Sequence, residues 1–291
     1  MATPRIDGHT RVIVHLGHPT HSFKAPLIYN PWFAACGCNA LVVPIDCPPG
    51  ALDALLPPLM AAPNVIGALI TMPHKVGVTR LLDEVSTTAR VAGACNAVRR
   101  DAAGRLVGDM FDGEGFVRGV QRKGLDLRGA SALVVGSGGV GSAIAASLAA
   151  AGVARLDLFD VHAAASEALR DRLLAGWPAL RVRCGVRDPS GLQLVVNATP
   201  LGMNPDDPMP VDVSRLDAST FVGEVVMREA ITAFLAAALA RGCRVQVGTD
   251  MLFEQIPAYL DFFGLPLATP EQLREHAELA APTPPVAKDT P

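Results

Sequence analysis

The sequence predicts an α/β protein of two domains, the second of which is doubly wound. Its 291 residues are enough for two domains that each bury a core. Short apolar runs typical of buried strands alternate with segments whose apolar residues recur at helical spacing. One strand–turn–helix–strand unit, residues 132–160, also contains a glycine-dense turn. The alternation favours largely parallel sheets, because parallel strands need helical crossovers.

The composition limits the expected partners and location. Hydrophobic residues make up 50% of the chain, charged residues 18%, and the net charge is −3, so neither nucleic acid nor an anionic membrane is expected as a partner. No apolar run approaches the roughly 20 residues of a membrane span, and the N-terminal segment lacks the apolar centre of a signal peptide. We therefore expect a cytoplasmic protein. The six cysteines are scattered and are predicted to be small buried residues; neither they nor the histidines show metal-site spacing.

The first third of the chain contains the elements of one α/β unit. Strands are predicted where short apolar runs end in turn residues, at 11–16, 39–45 and 67–71. Helices are predicted from Pro26 to the residue before Gly37, and over 51–61. These elements all precede the glycine-dense turn, so a separate α/β unit lies N-terminal to it.

The glycine-dense turn fits the pattern G-x-G-x-x-G of a dinucleotide-binding site. Gly136 permits a tight turn, Gly138 lets the backbone approach a pyrophosphate, and Gly141 lets the helix pack close to the strand. The following helix would offer unpaired N–H groups and its positive dipole end to the phosphates. The residues predicted to bind the cofactor here are Gly136, Ser137, Gly138, Gly139, Val140 and Gly141.

The second strand of this unit ends in Asp160, about 20 residues after the turn. A carboxylate at this place would accept hydrogen bonds from the adenosine ribose hydroxyls and repel a 2′-phosphate. No arginine stands at Val161 or His162 to receive that phosphate. We therefore predict a Rossmann-type domain that binds NAD, the alternative being a glycine-rich turn in an ordinary βα unit.

Several motifs in chain order resemble those of the shikimate/quinate dehydrogenase family. That family shows GxPxxHSxSP, a strand ending NVTxPxK, GAxNT and GxNTDxxGF in its first domain. The corresponding segments here are GHPTHSFKAP (17–26), LITMPHK (69–75), GACNA (93–97) and GDMFDGEGF (108–116), followed by NATPLGM (197–203) and GTDMLFEQ (248–255). The resemblance covers most of residues 10–265 and is much less specific for the substrate than for the family.

The resemblance implies how the domains divide. A substrate-binding and catalytic domain would comprise residues 1–122 plus 233–280, with the chain crossing back around 229–234 and a last helix over 271–280. The dinucleotide-binding domain would comprise residues 123–232. The proline-rich polar tail 281–291 is expected to be disordered.

The resemblance also implies the roles of individual residues. Lys75 matches the family's catalytic lysine and Asp112 its aspartate partner, and Thr71, Asn96 and Gln255 match groups that bind substrate hydroxyls. By residue type alone, each could equally be a solvated charge or a polar residue at a strand end. On the cofactor side, the resemblance adds Asn197, Thr199 and Met203 near the nicotinamide ribose, and Gly248.

The sequence departs from the family where the substrate carboxylate would bind. Phe23 and Ala25 stand in place of two serines and Met227 in place of a tyrosine, so three hydroxyl donors are missing. Phe23 is therefore expected to line the substrate site. A carboxylate buried without partners is costly, and Lys24 is the nearest candidate for a new cation.

A second group of departures replaces polar residues by apolar ones. Met110 and Phe111 replace asparagine and threonine, and we expect them to make the far end of the pocket apolar. Leu69 and Ala97 also replace polar residues of the family.

The combined prediction is an oxidoreductase that reversibly transfers a hydride between NAD and a ring hydroxyl of a small hydroxylated cyclic carboxylic acid. One alternative is the same fold acting on a less hydroxylated, uncharged or aromatic substrate. Another is an NAD-binding regulatory protein with little turnover. The sequence leaves open whether the protein is a monomer or a homodimer.

Overall fold

The protein is described by a computed structural model over residues 6–229 and 231–279. The predicted tail 281–291 lies outside these ranges. Within them, two six-stranded sheets are each covered by helices, so the predicted two-domain α/β class is confirmed.

The first sheet is mixed. The elements up to residue 122 are β1 (Arg11–Gly17), α1 (Pro26–Ala35), β2 (Ala40–Asp46), α2 (Leu52–Ala61), β3 (Val65–Ile70), β4 (Glu84–Val85), α3 (Thr87–Ala92), β5 (Ala97–Arg100), β6 (Leu106–Asp109) and α4 (Asp112–Arg122). The strand order is β2-β1-β3-β5-β6-β4, with β1, β2 and β3 parallel and β5 antiparallel to both of its neighbours. The predicted strands and helices of this part correspond to β1, α1, β2, α2 and β3.

The second sheet is entirely parallel. Its elements are β7 (Ser131–Val135), α5 (Gly139–Ala150), β8 (Arg155–Phe159), α6 (Ala163–Gly176), β9 (Arg181–Cys184), β10 (Leu194–Asn197), β11 (Phe221–Glu224), α7 (Ala233–Ala240) and β12 (Arg244–Gln246). The order β12-β11-β10-β7-β8-β9 reverses direction between β7 and β10. This is the doubly wound arrangement, in which a ligand binds at the reversal point beside the carboxyl ends of the strands.

The chain returns to the first sheet later than the sequence predicted. The expected crossing at 229–234 is wrong, because β12 pairs with β11 and α7 packs on the second sheet through Phe234, Leu235 and Ala238. The last helices, α8 (Gly248–Glu254), α9 (Ile256–Phe262) and α10 (Pro270–His276), instead pack against α4 and α1. The return therefore lies at Val247, between β12 and α8.

The two domains meet closely along α4 and α5. At Gly113 in α4, an added Cβ would lie 2.1 Å from the carbonyl oxygen of Ala143 in α5. Only a residue without a side chain allows this approach, which holds the start of α4 against the second domain. Within the described ranges, no helix has both the length and the apolar character to cross a bilayer.

Candidate active site

A cavity of about 510 Å³ lies beside the carboxyl ends of β1 and β3. Its wall is completed by residues of α1, the first residue of α4, helices α8 and α9, and Met227 from the loop after β11. The cavity therefore borders both domains, at the edge of the sheet where open α/β proteins bind ligands.

Lys75 and Asp112 meet in this cavity. The Lys75 Nζ donates a hydrogen bond to Asp112 Oδ2 at 2.6 Å, and the two side chains are 19% and 7% exposed. Lys75 follows the end of β3, whereas Asp112 is the first residue of α4, where the helix dipole favours a carboxylate. The largely buried pair leaves Lys75 facing the cavity with its other protons available.

Asn96 orients the carboxylate of this pair. Its Nδ2 donates to Asp112 Oδ1 at 2.9 Å, and its Oδ1 accepts from the Phe111 N–H at 2.9 Å. Backbone hydrogen bonds to Ile70 and Asp109 fix the residue itself. Asn96 is only 1% exposed and does not line the cavity, so it supports Asp112 from behind.

Most of the residues predicted for the substrate reach the cavity wall. Phe23, Thr71 and Gln255 line it, and Gln255 has a buried Oε1 without a hydrogen-bond partner. Met227 and Ala25, two of the departures from the family pattern, line it as well, and exposed Lys24 lies at its rim.

The expectation that Met110 and Phe111 make the cavity apolar is wrong. Met110 packs among alanines of α3 and α5, away from the cavity. Phe111 packs edge-on against Tyr259 and Phe262. Both side chains therefore fill the core around the start of α4 rather than the cavity wall.

Sequence reasoning missed His15, which also lines the cavity. This residue is 8% exposed, its ring stacks on Phe23 with centroids 4.0 Å apart, and its Nδ1 has no partner. Burial, assisted by the positive charge of Lys75, lowers the pKa of His15 to about 4, so the ring is neutral at pH 7. The available signal was a histidine inside the otherwise apolar run of β1 from Val12 to Leu16.

Two tyrosines were missed as well. The sequence contains only two, Tyr29 and Tyr259, and both line the cavity. Neither hydroxyl has a hydrogen-bond partner in the part of the chain that the structure describes. Burial raises the pKa of both phenols well above the usual value, so both hydroxyls stay protonated and can donate.

A second cavity, of about 450 Å³, lies at the reversal point of the second sheet. It is bordered by Gly136 and Gly138 of the turn, by Asp160 at the end of β8, and by Thr199 after β10. Asp160 accepts hydrogen bonds from the backbone N–H groups of Ser137 and His162 at 2.7 and 2.9 Å. These hydrogen bonds hold the Asp160 carboxylate beside the glycine-dense turn.

The glycines of this turn are dictated by close backbone contacts. Gly136 has φ of +101°, and an added Cβ at Gly141 would lie 1.9 Å from the Gly136 oxygen. Exposed Gly138 has nothing within 4 Å of a would-be Cβ. The turn therefore packs tightly on its inner side and leaves space on its outer side, beside the N-terminus of α5. This is the form that a dinucleotide pyrophosphate requires.

The other predicted cofactor residues do not border this cavity. Asn197 is fully buried and uses its amide to hold the loop, accepting from Thr199 and donating to the Leu201 oxygen. An added Cβ at Gly248 would lie 2.1 Å from the Val226 oxygen, so this glycine allows α8 to begin against the second domain. The remaining predicted residues outside the lining are Ser137, Gly139, Val140, Gly141 and Met203.

Arg187 borders the same cavity and was not predicted. Its guanidinium lies over the Phe159 ring, 5.2 Å from the centroid, and donates to the backbone oxygens of Met209 and Pro210. Among the described residues, no group of three or more His, Cys, Asp or Glu side chains is placed to hold a metal ion.

Comparison with known proteins identifies the family of this chain. A family model for the shikimate dehydrogenase substrate binding domain matches residues 16–98. The shikimate dehydrogenase (NADP(+)) of Rubrobacter xylanophilus is 36% identical over 259 residues, which cover 88% of this chain and 91% of that protein. The chain belongs to the shikimate dehydrogenase family.

Solved structures of the same fold include enzymes named for different substrates. The quinate dehydrogenase from Corynebacterium glutamicum in complex with NAD is 32% identical, with a TM-score of 0.81 over 92% of this chain and 98% of that one. The 5-ketofructose reductase of a Gluconobacter strain is 25% identical, with a TM-score of 0.82 over 91% of this chain and 98% of that one. Within the shikimate dehydrogenase family, the cavity-lining residues of this chain that the motifs did not predict are His15, Tyr29 and Tyr259.

The buried imidazole gives a pH-dependent prediction for this family member. We expect the His15 resonance, assigned by its loss in His15→Leu, to titrate near pH 4 in a histidine NMR titration. Because an unfolded histidine titrates near 6.5, the unfolded state binds the extra proton between these values. His15 therefore lowers the stability of the fold as pH falls from about 6.5 to 4, and His15→Leu removes that part of the pH dependence. A resonance that titrates near 6.5 contradicts this picture.

Proposed function

We propose that this protein is an NAD-dependent dehydrogenase that acts on a ring hydroxyl of a small hydroxylated cyclic carboxylic acid. The observation that carries the proposal is the Lys75–Asp112 pair, 2.6 Å apart in a cavity that borders the dinucleotide domain. The first sheet with α8 to α10 forms the substrate domain, and the second sheet forms the cofactor domain.

The residues around the glycine turn suit a nicotinamide dinucleotide. The space outside Gly138 and the free N–H groups at the start of α5 would receive the pyrophosphate, and Asp160 the adenosine ribose. Once bound, the nicotinamide supplies the chemistry of accepting or donating a hydride.

Lys75 and Asp112 would handle the proton that accompanies the hydride. When an alcohol is oxidised, its oxygen must lose a proton. Lys75 can take that proton while passing one of its own to Asp112 Oδ2, with which it shares a hydrogen bond. The carboxylate ends protonated, the lysine keeps its charge, and the carbonyl oxygen stays hydrogen-bonded to Lys75. Thr71 and Gln255 line the same cavity and would orient the other ring substituents.

Asp160 supports NAD as the preferred cofactor. Its two carboxylate oxygens already accept two backbone N–H groups, which fixes a negative charge where the 2′-phosphate of NADP would lie. Arg187 is the cation that borders this cavity, but its guanidinium donates to two backbone oxygens. The relative from Rubrobacter is named for NADP and the quinate dehydrogenase structure holds NAD, so a direct comparison of both cofactors is needed.

A second candidate function is reduction or oxidation of a less hydroxylated or uncharged substrate. The observation that favours it is the loss of three hydroxyl donors at Phe23, Ala25 and Met227, all of which line the cavity. One solved structure of the same fold is named as a reductase of 5-ketofructose. A regulatory role without turnover is less favoured, because binding alone does not require the Lys75–Asp112 pair.

The catalytic proposal is tested with Lys75→Gln, which keeps a donor to Asp112 but removes the exchangeable ammonium proton. We expect kcat for NAD reduction with the best compound of a cyclic hydroxy acid panel, including quinate and shikimate, to fall about 10²- to 10⁴-fold. NADH binding, measured by fluorescence, should stay unchanged. Lys123→Gln, on the outer surface beside Asp250, is the matched control and should keep full activity. Full activity in Lys75→Gln would refute the assigned role.

The cofactor proposal is tested by measuring kcat/KM with NAD and with NADP. We expect the wild-type protein to favour NAD, and Asp160→Asn to narrow that preference by about 10- to 100-fold, because a charged acceptor for the ribose is lost. Asp188→Asn, an exposed carboxylate of the same domain paired with Arg215, serves as the control. A wild-type preference for NADP would contradict the proposal.

A further inference from the structure

The His15 side chain lies on the buried face of β1, where an apolar residue is expected. Side chains alternate along β1, so His15 points to the same face as Ile13, and it pairs with Leu69 of β3 in the register of the sheet. That face is covered by α1 and α9. An imidazole here has an Nδ1 without a partner, and a buried polar atom left unpaired costs free energy that a leucine would avoid.

The stacking partner of His15 is the first of the substituted positions. Its ring lies 4.0 Å from that of Phe23, centroid to centroid, with the two planes 28° apart. Phe23 stands where the family has a hydroxyl donor. The imidazole of His15 therefore places an N–H donor beside the position where that hydroxyl is missing. The phenyl ring also holds the imidazole in place along the cavity wall.

A second donor lies beside the second substituted position. Tyr29 follows Ala25 by four residues at the start of α1, so the two side chains lie on one face of the helix. The Tyr29 hydroxyl has no hydrogen-bond partner among residues 6–229 and 231–279, although the rest of the side chain is buried. The phenol thus reaches the cavity from the turn of helix that begins at Ala25.

The charge of the cavity wall favours an anion. Two lysines, Lys24 and Lys75, and only one acid, Asp112, line it. His18 also lines the wall but is hydrogen-bonded to Asp46 at 2.8 Å. Because the His15 ring is neutral at pH 7, Lys24, Lys75 and Asp112 together give one net positive charge, which matches a ligand with a single negative charge.

We propose that His15 and Tyr29 bind the carboxylate of the substrate, in place of the hydroxyl groups absent at Phe23 and Ala25. The proposal rests on the function proposed above and adds to it the residues that select the substrate. The imidazole N–H and the phenol donate to the carboxylate oxygens, and Lys24 at the rim adds a longer-range attraction. Phe23, Met227 and Ile256 then face the ring, so the preferred substrate is a monoanionic cyclic hydroxy acid with fewer hydroxyl groups than shikimate.

The test compares each acid with its amide, which has the same shape without the charge. Equilibrium binding is measured by titration calorimetry with saturating NADH, to which a hydroxy acid cannot transfer a hydride, using 3-hydroxycyclohexanecarboxylate and its carboxamide, with shikimate and shikimamide in parallel. We expect the wild-type protein to prefer the acids, since hydrogen bonds to a charged group are about twice as strong as neutral ones. His15→Leu and Tyr29→Phe should each reduce the acid-to-amide preference by about 10-fold.

Two controls separate recognition from a structural role. His15→Gln keeps an N–H donor and should retain most of the preference, whereas His21→Leu, an exposed histidine outside the cavity wall, should retain all of it. His15→Leu should melt at or above the wild-type temperature, because it removes an unpaired buried nitrogen. A role in folding alone would instead lower the melting temperature and leave the preference intact.

The outcomes also distinguish this proposal from the catalytic one. Wild-type protein that binds neither member of a pair, or binds the amide as tightly as the acid, overturns the carboxylate assignment. The same is true if the preference survives in both His15→Leu and Tyr29→Phe. Acid-selective binding that depends on His15, without hydride transfer to NAD or NADP from any compound, upholds the assignment and refutes the proposed function instead.

Discussion

The structure depends on bringing one ammonium and one carboxylate together in a place largely withdrawn from water. Lys75 and Asp112 are 2.6 Å apart, although one follows β3 and the other begins α4. Removing either partner would leave a buried charge uncompensated, which typically costs about 3–5 kcal/mol. The surrounding structure meets this constraint through Asn96, which fixes the carboxylate, and through the close packing of α4 on α5 at Gly113. The same packing places the pair at the border of the cofactor domain.

The sequence predicted best what depends on local backbone geometry. The turn at Gly136 and Gly141 could be predicted directly, because Gly136 needs a positive φ and Gly141 must approach the Gly136 oxygen, both within one βα unit. The return of the chain to the first sheet could not be predicted from the sequence. Helix α7 has the sequence AFLAAALA, so nearly every face is apolar and nothing in the pattern says which sheet it covers.

The substrate cavity was only partly predictable, because motifs name positions but not the directions of side chains. Met110 and Phe111 neighbour Asp112 in the sequence yet point into the core, while Asn96 acts through Asp112 instead of facing the cavity. His15 and Tyr29 come from a strand and a helix that read as ordinary core elements, and only the packed structure places them in one wall. The site thus combines motif residues that the sequence predicts with cavity-lining residues that it does not.

The most direct test of this account is a double-mutant cycle on hydride transfer with Lys75→Gln, Asp112→Asn and the combined variant. Residues that act as one proton-transfer unit give non-additive losses, so the combined variant should be about as slow as the slower single variant. This result would establish that the pair seen in the structure is the unit that moves the proton. Losses that multiply in the combined variant would show that the two groups act independently and would contradict the account.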